Sequence, residues 1–195
     1  MSKFFQTPVC RMVFGALTVP QKNDYGSAWK AGMIISEDDS QDLFKIIAQQ
    51  LEDARKKDKK FPKENEGLKM PWQPSMEKDA DGNKTPKDGE FLWIFNRRTT
   101  RTVRGETVKQ TPPKLWDANG SLITDIVEVP RGSEGIIHFE CRCYTQNGGG
   151  VSFFLEGFQI SKLGESGPDL KPIEGGEFVV NEGGTPVDID AVLGE

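Results

Sequence analysis

Six basic side chains, Arg97, Arg98, Arg101, Arg104, Lys109 and Lys114, fall between Trp93 and Lys114 against one acid, Glu106. Trp93 and Phe95 stand at the head of the same segment, FLWIFNRRTTRTVRGETVKQTPPKLW. Cationic groups neutralise phosphates, and flat rings offer stacking surfaces worth about 1–3 kcal/mol per unpaired base. The mixture therefore suits a single nucleic-acid strand. With Glu106 as the only acidic neighbour, the cations are not arranged to pair locally, and phosphates would supply the missing counter-charge. The ordinary alternative for such a run is a solvated hairpin.

Charge changes sign along the chain. Residues 164–195 hold eight acids and one base, a net of −7, while residues 1–163 hold 24 bases and 22 acids, a net of +2. The overall pI of about 5.1 thus averages a mildly basic body and an acidic, glycine-rich end. At 195 residues with four Trp and twelve Phe, the chain has room for one domain with a real core plus an appendage. The expected division is a folded domain at 1–163 and a disordered acidic tail at 164–195. No apolar stretch approaches the length of a membrane span, and MSKFFQTPVCRM lacks the apolar core and cleavage site of a signal peptide, so the expected location is the cytoplasm.

The other candidate chemistries are weaker. Cys141-Arg-Cys143 with His138 could be half of a metal site. Strand alternation, however, sends Ile137, Phe139, Cys141 and Cys143 to one face and His138, Glu140, Arg142 and Tyr144 to the other, so the thiols belong to an apolar core and no metal is expected. The run from Asp79 to Glu90 spaces oxygens like a calcium loop, but it lacks the glycine at position six, and a plain turn is expected. Gly148 to Gly150 precede a strand and no Lys-Ser or Lys-Thr follows, which excludes a phosphate-binding loop. His138 is the only histidine, and no serine or cysteine sits in a nucleophile elbow. Neither an enzyme nor a cofactor is indicated.

The elements that must position these residues are mostly short alternating runs. Strands are predicted at Cys10 to Val19, Trp29 to Ser36, Glu90 to Arg98, around Arg101 to Lys109, Gly135 to Tyr144 and Val151 to Lys162, with a weaker one at Lys114 to Trp116. One helix is predicted from Glu37 to about Lys57, capped by Ser36, with a buried stripe of Leu43, Ile46, Ile47, Leu51 and Ala54. Residues 58–89 read as a long, charged, mobile insertion anchored by Phe61, Met70 and Trp72. In EFLWIFNRR, alternation separates Phe91, Trp93, Phe95 and Arg97 from Leu92, Ile94 and Asn96. The aromatic face is expected to turn outward, the aliphatics filling the core. Arg142 and Tyr144 share the non-core face of their own strand, so two strands would each present a ring and an arginine. Mainly antiparallel strands with one helix suggest a small closed barrel or a sandwich.

The ordered set NDYGSAWKAGMII, the helix, the basic strand pair, KLWDANGSLI and VPRGSEGIIHFECRCYTQNGGGVSFFLEGFQISKL resembles the bacteriophage single-stranded DNA-binding proteins with an OB fold, over most of residues 8–163. The resemblance implies a mainly β, five-stranded OB barrel with one helix after the second strand. Its groove would hold single-stranded DNA without sequence preference, in phage DNA replication, recombination or repair in the host cell. Tyr144 matches a family aromatic, Trp29 and Lys30 lie in the segment after Asp-Tyr-Gly, and Trp93 to Arg98 lie on the basic strand. The expected stacking residues are thus Trp93, Phe95, Tyr144 and Trp29. The expected phosphate contacts are Arg97, Arg98, Arg101, Arg104, Lys109, Lys114, Arg142 and Lys30. The family's acidic tail competes with DNA and docks a phage DNA polymerase, helicase or recombination proteins. Here that tail is diluted by glycine and valine and lacks a dense acidic run closed by an aromatic. Monomer and homodimer both remain open. From a different class, a β-sandwich module binding carbohydrate, or a virion component, would use the same aromatics.

Overall fold

The computed structural model describes residues 3–23, 26–78, 81–103, 105–125 and 128–165. In chain order these form β1 (Phe4–Gln6), β2 (Cys10–Asn23), β3 (Gly26–Ser36), α1 (Glu37–Lys57), β4 (Trp72–Lys78), β5 (Lys84–Arg98), β6 (Thr100–Val103), β7 (Glu106–Lys109), β8 (Lys114–Trp116), β9 (Glu134–Tyr144) and β10 (Gly150–Lys162). Five strands close a ring in the order β2, β3, β5, β10, β9 and back to β2, every neighbour antiparallel except β5 with β10. The fold is the expected OB-type barrel, with its helix after the second barrel strand. β1 and β8 extend the sheet on β9 and β10, and β6 with β7 forms a separate hairpin.

Closure of the ring leaves an interior that large rings fill. Trp93 stacks on Phe153 at 5.5 Å, Phe153 lies 4.3 Å from Phe139, and Phe95 meets Phe139 edge-on at 5.3 Å. Helix α1 begins where predicted: the Ser36 hydroxyl accepts from the Asp39 amide at 3.1 Å, acids occupy the first turn and bases the last. Its buried residues Leu43, Ile47 and Leu51 face the barrel, flanked by the half-buried Ile46 and Ala54. The Trp93 indole nitrogen donates to the buried Ser40 hydroxyl at 2.9 Å, tying helix to core.

The stretch read as a mobile insertion is more ordered than its composition suggests. Part of it is β4, which pairs with a β5 that begins at Lys84 rather than Glu90. Phe61 is buried, and Trp72 packs edge-on against Phe44 and Phe91 at 5.2 and 5.1 Å. Apolar anchors few in number suffice when a barrel edge supplies the hydrogen-bonding partner. Asp79, like Arg104 and residues 166–195, lies outside the described residues. Among those described, no helix is long and apolar enough to cross a membrane.

Candidate functional site

Paired residues in neighbouring strands share a face, so the barrel's outer surface can be read across its register. On β5 the outer residues are Ile94, Asn96 and Arg98; on β10 they are Ser152 and Phe154; on β9 they are Glu140, Arg142 and Tyr144. Above this surface lies an open cleft of about 780 Å³. Its floor is formed by Asn96, Ser152 and Phe154. One wall is the β6–β7 hairpin through Thr100, Arg101, Thr102 and Thr107, and the other is Lys69 to Pro71 with Gln146 and Asn147.

Among the described residues, four cations line the cleft, Lys69, Arg98, Arg101 and Arg142, and no carboxylate does. The remaining lining is amide, hydroxyl and ring, with the apolar Met70, Pro71, Ile94 and Val151. Phe154 lies under the Arg142 guanidinium, 3.8 Å from ring centroid to carbon. Glu140, nearly buried beside it, accepts two hydrogen bonds from Arg142 at 2.7 and 2.5 Å. This pair fixes the cation over the ring. Tyr144 closes one end of the cleft, its ring lying over Gly150, where a Cβ would come within 2.6 Å of the hydroxyl oxygen. A side chain at 150 would lift the tyrosine from its place.

Of the predicted residues, the cleft brings together Arg98, Arg101, Arg142 and Tyr144. Others are corrected. Trp93 and Phe95 are 0 % exposed and Trp29 is 5 % exposed, its indole nitrogen donating to the Thr18 carbonyl at 3.3 Å. None of the three offers a face to a base. The alternation in EFLWIFNRR was legible, but its direction is the reverse of that expected. A small barrel fills its interior with the largest rings available, and Ile94 and Asn96 are left outside. Arg97 follows Trp93 and Phe95: its side chain is 12 % exposed and bonds Glu156 at 2.8 Å and the Leu155 carbonyl at 3.3 Å. That guanidinium is engaged in holding β5 to β10.

Lys30 is on the outer face opposite Asn96 but beyond the cleft lining, Lys109 is exposed on the hairpin opposite Thr100, and Lys114 sits on β8 opposite Gly157. Arg104 lies outside the described residues. Sequence reasoning missed Lys69 and Phe154. Phe154 was available from alternation in VSFFLEG, since the buried Val151, Phe153 and Leu155 leave it on the other face.

The thiols are core groups. Burial pushes Cys10 up to about 11 and Cys141 up to about 12, while Cys143 is half-buried, also raised by burial, and donates to the Gln50 carbonyl at 3.5 Å. His138 faces the opposite side of β9, its pKa lowered by desolvation. Among the described residues no three His, Cys, Asp or Glu side chains converge to hold a metal ion.

Solved structures share this fold. The chain superposes on gp2.5, a single-stranded DNA-binding protein encoded by bacteriophage T7, with a TM-score of 0.63 at 16 % identity, covering 88 % of this chain and 98 % of that one. The single-stranded DNA-binding protein from bacteriophage Enc34 in complex with ssDNA gives 0.60 at 14 % identity, covering 84 % and 88 %. The same Enc34 protein without DNA gives 0.59 at 14 % identity, covering 85 % and 84 %. At these identities the likeness is one of fold. No protein-family model matches the sequence, and no curated protein matches it.

Proposed function

We propose that the chain is a non-enzymatic, sequence-tolerant single-stranded DNA-binding protein acting in phage DNA replication, recombination or repair. The observation that carries this reading is the cleft itself: among the described residues its lining holds four cations, no carboxylate, and two rings, Tyr144 and Phe154, on the outer face of an OB-type barrel. Phosphates would meet Lys69, Arg98, Arg101 and Arg142, while unpaired bases stack on the rings. A duplex presents no free base faces to stack. Neutral amides and hydroxyls along the walls can bond any base edge, which fits binding without sequence preference. That the Enc34 protein sharing the fold is described in complex with ssDNA supports the same reading.

Anisotropy titration of labelled oligo-dT against an equal-length duplex tests it. With four phosphates neutralised, log affinity should fall with log salt at a slope of roughly −2.8. A slope near zero, or preference for the duplex, would overturn the assignment.

Residues 164–195 carry −7 and act on this reading as a separable competitor for the basic cleft, through which replication partners could also dock. A chain ending at Leu163 should bind oligo-dT more tightly at low salt, with the gain shrinking as salt rises. Equal affinity of both chains at low salt would remove the tail from the mechanism.

A further inference from the structure

The cleft is not the end of the outer ring surface. On β8, Lys114 and Trp116 point outward together, because Leu115 between them is buried beside Phe158. Register carries that face across the sheet: Lys114 lies opposite Gly157, Gly157 opposite His138, and His138 opposite Gln6. The Trp116 indole reaches over Gly157, where a Cβ would come within 2.3 Å of it, and meets the His138 ring at 5.1 Å in an edge-on contact. Phe4 of β1, 62 % exposed, stands opposite Glu140, as does Phe154 on the other side. The Phe154 row, at Glu140, and the His138 row are two residue steps apart along β9, about 7 Å. One nucleotide of extended backbone spans such a gap.

Electrostatics along this path also favours a polyanion. Two carboxylates that flank it, Glu140 and Glu156, are paired with Arg142 and Arg97, and Asp117 beside Trp116 accepts from the Asn119 and Ser121 amides. Lys114 beside the indole is exposed. We propose that Trp116 and His138, with Lys114 beside them and Phe4 on the adjoining row across β9, form a second stacking platform for a single strand that leaves the cleft past Phe154. The inference rests on the reading of the cleft as a single-strand site and extends it. It also gives Lys114, predicted as a phosphate contact yet absent from the cleft, a place on the strand's course.

Tryptophan emission isolates the platform. Trp29 and Trp93 are buried and Trp72 is packed against Phe44 and Phe91, whereas Trp116 lies on the proposed course. The full chain is titrated with oligo-dT of about six nucleotides, enough to occupy the cleft, and with one about twice as long. Both should bind by anisotropy, and the longer one alone should quench tryptophan strongly. Trp116→Phe, which keeps a ring over Gly157, should abolish most of that quenching. Lys114→Glu, at an exposed position, should weaken the longer oligonucleotide at least about fivefold and leave the shorter one nearly unchanged. Quenching that survives in Trp116→Phe, or equal losses for both lengths in Lys114→Glu, would overturn the platform while leaving the cleft intact. Failure of the native chain to bind either oligonucleotide would overturn the cleft reading and the platform together.

Discussion

Strand β5 carries two sets of residues a single pleat apart, and they live in different solvents. Trp93 and Phe95 point into the barrel, where the first stacks on Phe153, the second meets Phe139 edge-on, and both lose all contact with water. Ile94, Asn96 and Arg98 point out and line the cleft. Arg97 and Arg98 repeat the contrast with one residue type: the first is locked to Glu156, the second is exposed beside a polar groove. A ring or a guanidinium therefore has no fixed role. Buried or held by a carboxylate, it contributes to stability; exposed beside the cleft, as Arg98 is, it is free to meet a ligand.

The inner set should show the largest effect. Trp93→Ala removes a fully buried indole and orphans the Ser40 hydroxyl, and should cost about 3–5 kcal/mol in urea unfolding. Unchanged stability together with lost DNA binding would break the division of faces outright. Arg97→Ala should cost less, about 1–3 kcal/mol, since it leaves Glu156 without its partner at a site still partly reached by water. The paired variant Arg98→Ala, Arg101→Ala should move stability by under about 0.5 kcal/mol yet reduce the magnitude of the salt slope for oligo-dT by about 1.4. If Arg97→Ala changed the slope as much as this pair, the two faces would not be separate in function.

The thiols sharpen the comparison with a small effect. Raised pKa values near 11 and 12 mean that Cys10 and Cys141 stay protonated at pH 8 in the folded chain. Alkylation at pH 8 should therefore reach the half-exposed Cys143 first and the other two only as urea unfolds the barrel. Equal labelling rates for all three in the native state would contradict the burial of β9's inner face.

Local pattern made most of the elements legible. Ser36 and the acids after it fix the start of α1, and the lysines at its end mark its close near Lys57, because capping and dipole complementarity act within one turn. Alternation placed Arg142 and Tyr144 outside on β9 correctly, since Ile137, Phe139 and Cys141 are plainly the apolar set. On β5 both sets could pass for core, and there alternation has no sign. Lys69 was hidden for another reason: it enters the cleft through a bridge with Gly150, a contact between segments some 80 positions apart that no local pattern announces.

What the sequence determined by itself was composition and period: a mainly β chain with one helix, a basic segment, an acidic end, and a set of aromatics too large for an ordinary surface. Those follow from propensity, capping and charge, which act over a few neighbouring residues. Which aromatics became core, which arginines stayed free, and which distant lysine joined them was decided only by closing the ring. Closure creates an interior of fixed size, Trp93, Phe95, Phe139 and Phe153 fill it, and the residues between them are left on the outer surface to form the cleft.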